Sequence, residues 1–209
     1  MTNDISIELF RENKYEKELV AQIVDIHMQT FTGFFLTFLG RGFLKELYKG
    51  FCTHEKSGLI IARSENGVVG FLAFSEDLSA FYKYLIKKSL LPFMYYGLGA
   101  FFRKPAIMAR LVRSFLKPAE SKRAESYVEL SSIGVSPEAE NKHIGRRMLN
   151  KLLSMYDGSS EFEYIKLETD AVNNEKANHF YAANKFVLCD TYQTKEGRQM
   201  NEYRYSLRN

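Results

Sequence analysis

Residues 129–149 read ELSSIGVSPEAENKHIGRRML, and the fold turns on how this stretch is divided. Together with Tyr127 and Val128 before it, the run up to Val135 is rich in strand formers, and Pro137 stops it. From Asn141 to Tyr156 apolar residues recur at Ile144, Met148, Leu149, Leu152 and Leu153, the spacing of a helix with one buried side. Strand, glycine-bearing turn and helix therefore follow one another. Free N–H groups and the positive end of the macrodipole converge at such a helix start, and Lys142, Arg146 and Arg147 add cationic side chains. A phosphate could sit there on main-chain amides alone. The same pattern also occurs at junctions that bind nothing, so it needs company.

The surrounding sequence alternates in the same way. Ile5 to Phe10 predicts a first strand, Tyr15 to Thr30 a helix, and Phe34 to Cys52 a second helix after the turn Phe31-Thr32-Gly33, with Gly40 and Gly42 weakening its middle. Leu59 to Arg63 and Val68 to Phe74 read as a hairpin closed by Asn66-Gly67, a pair that favours positive φ. After the motif come a strand at Tyr164 to Thr169, a helix at Asn174 to Ala183 capped by the asparagine, and closing strands at Phe186 to Thr191 and Glu202 to Leu207. Residues 79–118 stand apart as two or three helices broken near Pro92, Gly97, Gly99 and Pro105, and they look inserted into a single domain of residues 1–209.

Charge sets the same segment apart. The 209 residues carry a net charge of +4, but residues 79–118 hold eight Lys and Arg and no Asp or Glu, leaving the remainder acidic. Leu90 to Phe102 is uncharged, yet shorter than the ~20 residues that cross a bilayer. A buried helix, a contact with a second copy and peripheral membrane contact all fit it. No transmembrane segment and no secretory leader are expected, and with only Cys52 and Cys189, both expected to be buried and inert, a reducing cytoplasmic setting fits. His27, His54 and His179 lack metal-ligand spacing, so packing or surface roles and no metal are expected. No nucleic-acid motif is present.

Two motifs resemble those of the GNAT superfamily of acetyl-CoA-dependent N-acetyltransferases. Val135, Pro137, Glu140, His143 and Gly145 resemble its diphosphate loop, with Glu140 in place of Gln or Arg and His143 in place of the first glycine. Asn174, Ala177, Phe180, Tyr181, Lys185 and Phe186 resemble its second motif, with Lys185 in place of glycine, a departure that Asn184 could offset by taking the left-handed backbone. The resemblance implies an α/β fold of three layers, a central mixed and mostly antiparallel sheet flanked by helices, with the helical insertion preceding the CoA-binding strand. It implies acetyl-CoA as co-substrate, held by backbone groups of Ile133, Gly134 and Val135, by the turn Asn141, Lys142, His143, Ile144, Gly145 and Arg146, and by Asn174.

The implied reaction is direct acetyl transfer to a primary amine. Deprotonating an amine of pKa ~10.4 at neutral pH costs about 4.6 kcal/mol, so a base helps. Glu129, six residues before Val135, matches the base position in one branch of the family, and could equally be a strand glutamate facing solvent or pairing with a lysine of the insertion. Tyr181 matches the position that protonates the departing thiolate, and could equally pack in the core beside Phe180. Asn174 could bond the pantetheine arm or only cap its helix. The aromatic, cationic insertion suits an anionic or partly apolar acceptor, such as a nucleotide-linked or lipid-linked amino sugar, and an amino sugar or nucleotide-linked amino sugar is the acceptor expected. A silent acyl-CoA-binding module and an anionic-surface or membrane binder are the competing readings, and a homodimer is left open.

Overall fold

A computed structural model of the chain describes residues 5–12, 14–103, 126–139, 143–195 and 197–208. Seven strands form one mixed sheet: β1 (Ser6–Phe10), β2 (Ser57–Ser64), β3 (Gly67–Ser75), β4 (Tyr127–Val135), β5 (Tyr164–Asp170), β6 (Val187–Gln193) and β7 (Gln199–Ser206), in the order β1-β2-β3-β4-β5-β7-β6. All neighbours are antiparallel except β4 and β5. The mixed, mostly antiparallel three-layer α/β arrangement expected above is therefore the one observed.

The central strands carry unbroken apolar runs because both of their faces are covered. Leu59, Ile61, Phe71 and Ala73 point into one core with α1 (Lys17–Thr30), α3 (Gly40–Thr53) and α4 (Leu78–Arg103). Ile60, Ala62, Leu72, Val128, Leu130, Ile165 and Leu167 point into the other, with α5 (Ile144–Tyr156) and α6 (Glu175–Ala183).

Several local expectations are corrected. The helix read from Phe34 to Cys52 is two, α2 (Phe35–Phe38) and α3, because Gly40 takes φ +85°. At the β2–β3 turn only Gly67 has positive φ, 119°. Helix α4 is continuous through Gly97 and Gly99; its departure lies at Ser89 (φ −125°, ψ 20°), within the turn whose hydrogen bonding Pro92 disrupts. Residues 104–125, with Pro105, lie outside the described residues. Asn174 makes no capping bond with its side chain, and Cys189 is exposed on β6, whereas Cys52 is buried.

The end of α6 is also closed differently. Asn184 stays right-handed at φ −102° and Lys185 takes φ 69°. The Phe186 N–H then reaches the Tyr181 carbonyl at 3.1 Å, closing a Schellman-type turn. A lysine in this conformation costs ~1 kcal/mol relative to glycine. Lys185→Gly is accordingly expected to raise stability by about that amount in a urea titration.

Candidate active site

The site is built where β4 and β5 part. They pair only at Tyr127↔Tyr164, Val128↔Ile165 and Glu129↔Lys166. Beyond Glu129, β4 continues for six residues, bonded to β3 on one side and to no strand on the other among the described residues. A bulge at Ser131, between Phe74↔Leu130 and Ala73↔Ser132, swivels the strand just past the divergence. The outcome is a wedge whose inner wall is the open backbone edge of residues 130–135.

The wedge leads to the turn before α5. Of the diphosphate-loop candidates, Glu140, Asn141 and Lys142 lie outside the described residues. His143 occupies the left-handed region, φ 54° and ψ 21°, at the cap of α5, where a glycine would sit without strain. A side chain added at Gly145 would meet Phe180 at 3.5 Å and Val135 at 3.8 Å, ordinary contacts. Packing therefore does not demand glycine here, and its absence of side chain leaves the first turn of α5 bare. Gly134 differs: an added Cβ would lie 2.8 Å from the Phe71 ring, so tight packing requires that glycine.

At the apex, Glu129 is buried and its Oε2 accepts from Lys166 Nζ at 3.2 Å. Lys166 Nζ also lies 2.9 Å from Glu168, which accepts from the Tyr192 hydroxyl at 2.5 Å. Burial raises the Glu129 carboxyl to about 7; the Lys166 charge pulls against the shift without cancelling it, and Glu168 adds to it. Burial alone would lower Lys166, but Glu129 and Glu168 outweigh it and hold the ammonium charged. Tyr82 of α4 is close enough to feel both carboxylates, which add to the upward shift that burial gives its phenol. This ladder across β4, β5 and β6 was not read from the sequence: the lysine expected as a partner for Glu129 was one of the insertion, and the one observed is Lys166 of β5.

Tyr181 lies on the other face of the sheet, buried among Phe180, Phe186 and Tyr203 in the cluster that holds Val128 and Leu130. Burial raises its phenol, which keeps it protonated, and its hydroxyl has no hydrogen-bond partner among the described residues. Glu129 and Tyr181 thus flank the wedge from opposite faces. Asn174 donates from Nδ2 to Thr169 Oγ1 at 2.7 Å. Ile133 and Val135 pack with the Tyr181 cluster, and Ile144 is buried beneath them; Arg146 is exposed.

On the Glu129 face, the α1–α2 loop meets the β6–β7 turn: the Arg198 guanidinium lies 5.7 Å from the Phe34 ring and pairs with Asp170. Beside them opens a cavity of about 670 Å³ lined by Asp170, Thr191, Tyr192, Gln193 and Gln199 among others. Deeper in, His27 Nδ1 is 2.7 Å from the Tyr48 hydroxyl, itself 3.5 Å from Ser132 Oγ, next to the bulge. Burial lowers His27 to about 4, so it is neutral at physiological pH and serves to hold Tyr48. Among the described residues no group of three His, Cys, Asp or Glu side chains could hold a metal ion.

The site thus consists of a wedge between two parallel strands, with a helix start beyond it and a buried carboxylate at its apex. Residues 20–186 match the Acetyltransferase (GNAT) family. No protein of curated function matches the chain. Its fold is similar to that of Arabidopsis thaliana NAA60 in complex with acetyl-CoA, at TM-score 0.59 and 12% identity over 97% of this chain and 98% of that one. It is similar also to an N-acetyltransferase from Staphylococcus aureus Mu50, at 0.58 and 14% over 98% and 99%. The ribosomal-protein-S18-alanine N-acetyltransferase from Escherichia coli gives 0.57 and 12% over 98% and 94%. The chain belongs to the GNAT acetyltransferase family, and is an N-acetyltransferase that takes its acetyl group from acetyl-CoA.

Proposed function

We propose that the chain acetylates the primary amine of an amino sugar by direct transfer, with Glu129 taking the amine proton and Tyr181 giving one to the departing thiolate. The observation that carries this reading is the place of Glu129: the last paired residue before the strands part, buried, and shifted to titrate near neutrality.

Bound acetyl-CoA supplies the thioester. Backbone groups of Ile133, Gly134 and Val135 on the open edge of β4 would hold its amides as an added strand does. The amides of His143, Ile144, Gly145 and Arg146, with Asn141 and Lys142, would hold its diphosphate at the start of α5. Gly145→Ala tests that placement. Its new methyl makes only ordinary contacts within the protein and favours the helix by ~1 kcal/mol, so stability should not fall. The KM for acetyl-CoA is nonetheless expected to rise at least ~10-fold, about 1.4 kcal/mol of lost binding. An unchanged KM would remove the first turn of α5 from the donor site.

On the acceptor side, the cavity beside Phe34 and Arg198 has the size of a small-molecule site. Thr191, Tyr192, Gln193 and Gln199 supply hydroxyl and amide groups suited to sugar hydroxyls, and Tyr192 supplies a ring for a sugar face. Arg198, the cation of the lining, is engaged by Asp170, which favours a sugar without phosphate over a nucleotide-linked one. Thiol release from acetyl-CoA, measured over hexosamines, nucleotide-linked amino sugars, polyamines, amino acids and peptides, should be fastest with hexosamines. Faster release with peptides or polyamines would overturn the acceptor.

Tyr181→Phe is expected to lower kcat about tenfold and leave acetyl-CoA affinity intact, because a thiolate of conjugate pKa ~8.5 leaves with modest acid help. Unchanged turnover would remove Tyr181 from the reaction and leave it a core residue.

A further inference from the structure

Helix α4 presents two rows of side chains. Phe81, Leu85, Ser89 and Phe93 recur at every fourth residue and are buried toward α3 and the sheet, so the row continues across the departure at Ser89. Two residues out of phase, on the opposite side of the helix, Lys83, Lys87, Leu91 and Tyr95 are exposed, flanked by exposed Ile86 and Lys88. Leu91 and Tyr95 are 76% and 77% exposed, the highest values among the exposed large apolar side chains of the described residues.

A single exposed leucine needs no explanation. Here exposed Ile, Leu and Tyr share one side of a helix with three lysines, and no acidic residue occurs anywhere in residues 79–118 to balance them. Two carboxylates that touch α4 are engaged elsewhere. Asp77 accepts from the Ala80 N–H at 2.8 Å at the start of α4, and Glu46 accepts from Ser89 on the inner side. No helix of the described residues is long and apolar enough to cross a membrane.

We infer that the outward row of α4 docks on an anionic membrane leaflet, with Ile86, Leu91 and Tyr95 entering the boundary between headgroups and acyl chains while Lys83, Lys87 and Lys88 meet the lipid phosphates. Lysine suits this position because its long apolar stem lies along the interface and its ammonium reaches back to water and phosphate. A nucleic acid would satisfy the lysines but offer nothing to Ile86 and Leu91. The lipid leaflet satisfies both halves of the row at once.

The test is co-sedimentation of the full chain with vesicles of phosphatidylglycerol and phosphatidylcholine, against vesicles of phosphatidylcholine alone. Binding is expected to the anionic vesicles only and to weaken with salt. Each lysine near such a surface is worth about fivefold in partitioning, so the triple variant Lys83→Glu, Lys87→Glu, Lys88→Glu should lose on the order of a hundredfold or more. Leu91→Ser should lose about tenfold. Because these side chains are exposed, the melting temperature should be unchanged; were Leu91→Ser to unfold, the lysine variant decides. Three outcomes overturn the inference: no partitioning into anionic vesicles, equal partitioning of the triple variant, or a dimer in sedimentation equilibrium that Leu91→Ser dissociates. Binding to duplex nucleic acid without binding to vesicles would overturn it equally.

Discussion

Glu129→Gln is expected to lower kcat/KM at neutral pH by ~10²–10⁴-fold, the range over which a positioned base contributes. The substitution is nearly isosteric, and the amide oxygen can still accept from Lys166, whose Nζ lies 3.2 Å from the carboxylate. What is lost is the ability to take a proton. In the native protein the rate should climb as pH rises through about 7, where the buried carboxyl gives up its proton and becomes a base. In the variant that rising limb should disappear. Thiol release followed across neutrality for both proteins checks this, and a variant that keeps the native profile would show that the base lies elsewhere.

Lys166→Met should cost about 3–5 kcal/mol in urea denaturation near and above neutral pH, the penalty for leaving a buried carboxylate without its partner. Both groups are nearly enclosed, with side chains 8% and 9% exposed, so water cannot substitute for the ammonium. The pH dependence has a definite sign. With Lys166 gone, burial and the charge on Glu168 act unopposed and move Glu129 further up. The folded state then binds a proton more tightly than the unfolded state does. The associated stability is present at low pH and drains away as pH rises from the ordinary carboxylate value through the raised one. The variant should therefore be closer to native stability in mild acid than in mild base, and its rising rate limb should move to higher pH. Lys166→Arg should restore most of both.

The layered fold was legible because its evidence is local. The strand, turn and helix of residues 129–149 declare themselves by β-formers, Pro137 and the spacing of Ile144, Met148, Leu149 and Leu152. The Glu129–Lys166 pair was not legible as such, because two residues 37 apart are brought together only by the parallel register of β4 and β5. No pattern in either strand records that register. At the end of α6, residue propensity favoured Asn184 for the left-handed position, but the geometry of the Phe186-to-Tyr181 hydrogen bond places it at Lys185. Position overrode preference. In α4, Pro92 and two glycines suggested separate helices; a kink at Ser89, one turn before the proline, does divide it, whereas Gly97 and Gly99 leave it unbroken, and Phe81, Leu85 and Phe93 on the two sides of the kink share one core.

An unsatisfied strand margin is ordinarily a hazard, since any passing extended chain can pair with it and seed aggregation. Between Leu130 and Val135 this protein keeps such a margin, but recessed in the crotch where two half sheets converge on Glu129 and Lys166. Because β4 and β5 are still joined at Glu129 and Lys166, an extended chain that pairs with this margin must enter between two strands of the same sheet, not along its outer rim.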